Sequence, residues 1–235
     1  MNGNLLHAVC VLVSLVVPRP VFAASEPSND FSSLPAFPFQ QVAPGLFTLG
    51  QVTLNKSERT VSFPAIVNQR RGPVEYAVVT MTGKTHESVF RTDAQPQHIH
   101  MAMLLLGAQP ANTNMFPANL SEPLPGERVT IDVTWRQKGR KMQKPIEDFI
   151  VTTNSRTSLS RGPWIYNGSF VVDGQFLAQV DGSIISVHID PVALINNPRE
   201  GRENDDLNHV NAAALPPDRL PLQITIHLQP RPFPR

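Results

Sequence analysis

Two groups of residues in this chain carry side chains suited to hold a metal ion. His86, Glu87, His98 and His100 lie close together in the sequence. Neutral imidazoles and carboxylates are zinc ligands, and a zinc site takes three protein ligands or more. Spacing limits how many of the four can meet. His98 and His100 share a face on a strand but diverge by about 200° on a helix. His86 and Glu87 are adjacent, so on a strand they point to opposite faces. At most a subset converges, for example His86 with one of the later histidines. The plainer reading has these imidazoles bonding backbone groups near a helix start.

Glu203, Asp205 and Asp206, with Asn196 and Asn204, offer the oxygens that calcium takes, although no EF-hand register surrounds them. The plainer reading here is a solvated loop. In it Arg199 and Arg202 pair with the carboxylates and the Asn side chains bond the backbone. A divalent cation is therefore the one cofactor these residue types suggest.

Other chemistry is sparse. Gly83-Lys84-Thr85 has the ending of a phosphate-binding loop, but Val78 stands where its first glycine belongs and a strand, not a helix, is expected to follow. Lys84 then reads as a turn residue. There is no Gly-x-Ser-x-Gly and no His-Glu-x-x-His. The single cysteine, Cys10, lies in a segment expected to be removed. Trp164 and Tyr166 share a strand face, where they would either line a sugar or peptide groove or fill a β core. Two functional readings follow: a non-enzymatic binding or structural domain, or a metal-dependent, hydrolase-like enzyme using the histidines and acidic residues.

The elements that must position these residues begin with the N-terminus. Residues 5–17 are apolar apart from His7 and Ser14, a run too short for the roughly 20 residues of a membrane helix. Pro18 and Pro20 break it, and Val21-Phe22-Ala23 has the small-x-small form of a signal-peptidase site. A signal peptide over residues 1–23 is expected, with a periplasmic or secreted product that keeps no stable membrane anchor. Residues 24–45 read as a flexible linker and 46–235 as one β-rich domain. The net charge is +1, charged residues make up 17% of the chain, and no basic stripe is present, which argues against nucleic acid as a partner.

The 23 prolines disfavour long helices. Strand patterns fall at 51–54, 59–67, 74–81, 87–92, 128–135, 146–152 and 222–228. A meander over 164–189 is turned by Asp173-Gly174 and Asp181-Gly182. Pro64 marks an edge strand or a bulge. One helix is expected over 96–106, capped by Asp93, ended by Gly107, apolar nearly all round and so buried. Residues 191–217 form a long polar segment. Its stretch 196–206 is expected to be ordered and to pack near the helix start, since ordering each backbone residue costs ~1–2 kcal/mol and needs compensating bonds. The expected fold is mainly β, an antiparallel sandwich-like or partly closed sheet with one buried helix; α+β is the alternative.

Four segments carry a resemblance. They are Gly83-Lys84-Thr85-His86-Glu87-Ser88, the run from Gln97-His98-Ile99-His100 to Gly107, Gly162-Pro163-Trp164-Ile165-Tyr166-Asn167-Gly168-Ser169, and the Asn-rich stretch 196–206. In this combination the chain resembles the YdjY-domain family of exported bacterial proteins, common in planctomycetes, over about residues 54–228. The resemblance implies export and a single domain. It carries over no catalytic residue and no ligand.

Overall fold

The computed structural model describes residues 39–111, 117, 122–218 and 220–229. The expected signal peptide and residues 24–38 of the expected linker lie outside them.

An antiparallel meander opens the fold: β1 (Phe39–Ala43), β2 (Leu46–Leu49), β3 (Val52–Asn55) and β4 (Thr60–Val67). β1 lies within the stretch read as linker, and all five of its residues are exposed. β5 (Tyr76–Thr80) and β6 (Ser88–Thr92) follow, then helix α1 (Pro96–Leu105). β7 (Glu127–Gln137) and β8 (Arg140–Pro145) form a hairpin, followed by β9 (Ile150–Thr152) and β10 (Trp164–Tyr166). A small hairpin of β11 (Val171–Val172) and β12 (Gln175–Phe176) leads into helix α2 (Leu177–Asp181). Then come β13 (Ser183–Ser186), β14 (Ile195–Asn196), β15 (Asn208–Val210) and β16 (Leu222–Leu228). Among the described residues no helix is long and apolar enough to cross a membrane.

Alternation fixes the register of the central strands. Val129, Ile131, Val133 and Trp135 of β7 are buried, as are Leu222, Ile224, Ile226 and Leu228 of β16, while the residues between them face outward. Each such side chain contributes about 1.5–3 kcal/mol on burial. A slip of one residue would turn the whole apolar set to water.

The main sheet closes. In the order β4-β16-β7-β10-β14-β13-β5-β6, with β6 returning to β4, eight strands form a barrel-like ring. The β5–β6 and β13–β14 pairs are parallel and the rest antiparallel. The fold is mainly β as expected, but the sheet is closed and mixed and, among the described residues, carries two helices, which corrects the expected antiparallel, sandwich-like or partly closed sheet with one buried helix. Closure depends on β4 and β7, each of which changes neighbours along its length. β4 pairs with β3 at Thr60–Ser62 and with β6 at Ile66 and Val67. β7 pairs with β10 at its start and with β8 at its end. Pro64, which has no N–H to give, sits in the gap between the two partners of β4. Eight strands leave an interior just wide enough for side chains, and Trp164, Tyr166, Phe63, Phe90 and Phe149 fill it.

The expected 164–189 meander is also corrected. β10 ends at Tyr166, because Gly168 and Ser169 take φ of 87° and 56° and leave the strand. Asp173-Gly174 does turn a hairpin, with φ of 49° and 76°. Asp181-Gly182 does not: Gly182, at φ 76°, is the left-handed C-cap of α2. Asp93 does not cap α1, whose N-cap is Gln95 with no side-chain bond. Gly107 ends the helix at φ 79°, its N–H bonded to Leu104 O. Ile99, Ala102 and Met103 are buried, but Leu104 and Leu105 are about half exposed, so only one face of α1 enters the core.

Stretch 196–206 is ordered by its own polar side chains. The Asn196 side chain bonds Asn167 Oδ1, Asp190 O and Asp190 N–H. Asn197 donates to Val187 O. These bonds, and those of Arg199, lead to the β10 and β13 side of the barrel and not to the expected place at the start of α1.

Candidate functional site

The metal-ligating candidates are dispersed over the fold. His98 and His100 diverge on α1, as helical spacing requires. His98 lies against the β2–β3 turn, so close that a Cβ on Gly50 would stand 2.8 Å from its Nδ1. His100 faces the other way: its Nδ1 is 2.7 Å from Tyr166 Oη and its ring packs 4.9 Å from Phe176. Burial pulls both imidazoles below their ordinary pKa and favours the neutral form.

His86 and Glu87 sit instead in the 3-10 turn Thr85–Glu87 that leads into β6, their side chains 3.5 Å apart. Glu203 comes to the same end of the barrel, but through its backbone: its carbonyl lies 3.3 Å from His188 Nε2. Asp205 and Asp206 are exposed, and the Asp206 N–H bonds Asn204 Oδ1. Among the described residues no three His, Cys, Asp or Glu side chains gather closely enough to hold a metal ion.

Glu87 is the half-buried carboxylate of this turn. Burial and then the negative Glu75 raise its pKa, with His86, Lys84 and His188 acting in opposition. A carboxyl whose folded pKa exceeds its unfolded one favours the fold while protonated, and that contribution disappears as pH rises through the folded value. Glu87→Gln is therefore expected to raise Tm at pH 7 by about 1–3 °C. The gain should vanish once pH falls below the carboxylate range. Calorimetric scans at both pH values check this, and a gain that persists in acid would contradict it.

Lys84 does more than turn the chain. Residues 81–87 fold back to connect the parallel β5 and β6, and Gly83 lets them lie directly on Gly182, where a Cβ would stand 3.0 Å from the Gly182 carbonyl. Lys84 then reaches Tyr76 Oη at 2.7 Å, Asp181 at 3.0 Å and Asp190 at 3.7 Å. Tyr76 Oη also donates to Asp190 Oδ2. Burial draws the Lys84 ammonium down, but the bonds to Tyr76 and Asp181 and the charge of Asp190 outweigh it and hold its pKa above the ordinary range. Burial likewise raises the Tyr76 phenol. Both groups keep their protons near neutrality, so the cluster serves as a lock on the crossover.

Arg199 makes a second lock. Its Nη2 lies 2.9 Å from Glu147 Oε1 and donates to Gly162 O. Its Nε bonds Ser160 O and its Nη1 bonds Asn197 Oδ1. The guanidinium stacks 5.0 Å over Trp164, whose indole N–H donates to Glu147 as well. Trp164 and Tyr166 are fully buried, so they fill the core and do not line a groove.

The open surface lies elsewhere, on the outer face of the antiparallel strands β3-β4-β16-β7-β8. Register sets Thr53, Ser62, Thr225 and Asp132 in one row across four strands, with Gln223, Thr134 and Gln143 in the next. They floor a groove of about 240 Å³ bounded by Leu46 on β2 and Lys141 on β8. A neighbouring hollow of about 470 Å³ shares Thr134, Lys141 and Gln223 and continues toward Arg136 and Pro221. Sequence reasoning passed over these residues, because outward polar positions occur on any half-buried strand. The available signal was the run of Thr, Ser and Gln where Lys and Glu are more usual.

No curated protein and no solved structure matches this chain. The family model of the YdjY domain matches residues 52–227, from β3 through β16 and so across the whole closed ring. The chain belongs to the YdjY-domain family.

Proposed function

We propose that this YdjY domain is a non-catalytic binding domain that works outside the cytoplasm, and that it binds through the outer face of β3-β4-β16-β7-β8. One observation carries the reading. The groove on that face is open and is lined mostly by uncharged hydrogen-bonding side chains that belong to rigid strands. Such convergent polar groups on fixed elements are what a recognition surface needs. The half-buried Lys84 and the largely buried Arg199 support the same reading, since both are saturated by structural partners. Export rests on the apolar run 5–17 and the Val21-Phe22-Ala23 site.

Thr225 stands at the centre of the face and points outward. Thr225→Arg should fill the groove without entering the core. The purified protein, screened against a mixed library of saccharides, short peptides and nucleosides, is expected to bind at least one class. Binding should be lost in Thr225→Arg while Tm stays within about 2 °C of the parent, the range of a surface change. Library binding unaffected by Thr225→Arg, or catalytic turnover of a library member, would contradict the reading.

A further inference from the structure

We infer that the ligand of this face is an uncharged saccharide. This rests on the reading above and adds the chemical class to it.

The centre of the floor leaves a ligand only side chains to bond. β16 is paired on both sides from Leu222 to His227, so its backbone N–H and C=O groups are taken up in the sheet. A peptide therefore cannot add as a strand along β16, because strand addition needs a free edge, and on this face that edge is β8 at the groove's rim.

The side chains themselves narrow the class. Thr53, Ser62, Thr134 and Thr225 present hydroxyls, each able both to donate and to accept. Gln223 and Gln143 present carboxamides with the same dual character. Both are already oriented: Gln223 Nε2 donates to Ser62 Oγ at 2.9 Å, and Gln143 Nε2 to Asp132 Oδ2 at 2.7 Å. Each leaves its carbonyl oxygen without a bond in these pairs. A ligand rich in hydroxyls matches such a floor best, since a hydroxyl answers either a donor or an acceptor from a single atom.

Charge weighs against the main alternatives. Asp132 accepts a bond from Gln143, and His227 Nε2 stands 3.2 Å from it without making a hydrogen bond. The remaining charged residues, Glu58 and Lys141, are opposite in sign. A phosphate or sulfate ligand would need convergent cations, and a polyamine would need convergent carboxylates. Leu46 is the one aliphatic residue in the lining, so a lipid chain finds no apolar bed, whereas the threonine methyls give the C–H faces of a sugar ring scattered contact.

Spacing agrees. Adjacent strands are ~4.8 Å apart, so the row Thr53-Ser62-Thr225-Asp132 sets polar groups at intervals comparable with the repeat of a linear hexose chain.

The test is calorimetric titration of the folded protein with three probes: neutral linear hexose oligosaccharides, oligouronates of the same length, and a polar hexapeptide. The variants Thr225→Val and Ser62→Ala remove one hydroxyl each and keep the shape of the floor. Neutral oligosaccharides are expected to bind best. Each variant should weaken them by roughly 3–10-fold, the effect of one hydrogen bond to a neutral group, with Tm unchanged. Tighter binding of the oligouronate or the peptide, lost in Thr225→Arg, would overturn the saccharide assignment and leave the binding face standing. Neutral oligosaccharides that bind with equal affinity to the parent and both variants would place the saccharide site elsewhere. Absence of binding by all three probes would overturn both the ligand class and the face.

Discussion

Arg199→Ala is expected to lower the free energy of unfolding by about 3–5 kcal/mol, the cost of stripping one partner from a buried ion pair. The side chains of Arg199 and Glu147 are only 11% and 5% exposed, so the carboxylate left behind could not be rehydrated without opening the barrel wall. The same change removes bonds to Ser160 O, Gly162 O and Asn197, and the cation stacked on Trp164. Burial pulls the guanidinium below its ordinary pKa and Glu147 acts in the other direction, which shows both the desolvation and its compensation. Because Arg199 ties stretch 196–206 to the strand end at Trp164, its loss should also free that stretch. Calorimetry should show Tm falling by about 2–4 °C for each kcal/mol, and limited proteolysis should now cut between Arg202 and Asp206. The pair Arg199→Met with Glu147→Gln should recover part of the loss, since it leaves no buried charge. A drop in Tm of under about 2 °C for Arg199→Ala, less than 1 kcal/mol, would mean the pair is effectively solvated.

Gly126→Ala is expected to be comparably severe, at about 2–6 kcal/mol, for a purely steric reason. Gly126 immediately precedes β7 and has φ +134°, where an L-residue is strained by about 1–3 kcal/mol. Its Cβ would also stand 2.3 Å from the Tyr166 carbonyl oxygen, and overpacking adds a further ~1–3 kcal/mol. The clash is with the backbone of β10, one residue from the Tyr166–Glu127 pairing, so it strains the seam where β7 meets β10. Gly139, at the tip of the β7–β8 hairpin, is the control. It has φ +78° with open space around its Cβ position, so Gly139→Ala should cost only the left-handed conformation, about 1–2 kcal/mol. Urea unfolding of the two variants checks the difference. Equal losses would show that the close approach at Gly126 relaxes freely.

These two sites mark where the sequence was and was not readable. The alternation on β7 and β16, the Asp173-Gly174 hairpin and the Gly107 helix stop are written in neighbouring residues, and each formed as local rules require. Closure is not local. It depends on Ile66 and Val67 meeting Phe90 and Arg91, and on a two-residue β14 too short to leave any period. Asp181-Gly182 illustrates the ambiguity, since the left-handed glycine that turns a hairpin also caps a helix. The candidate ligands were limited in the same way. Helical spacing correctly separates His98 from His100. Nothing in the sequence shows that Glu203 would offer its carbonyl, or that Lys84 would find Asp181 and Asp190 about a hundred positions away. The threonines of this outer face were visible one by one, but their rows exist only in the register of five strands.

The central claim, that the chain recognises its ligand through the outer face of β3-β4-β16-β7-β8, is tested most directly by an amide chemical-shift map. The 15N-labelled protein would be titrated with a neutral linear oligosaccharide. Shifts are expected to cluster at Thr53, Ser62, Asp132, Thr134, Gln223 and Thr225. Shifts confined to the Lys84, Glu87 and His188 end of the barrel, or to the exposed Leu104 and Leu105 of α1, with the groove amides unmoved, would contradict it.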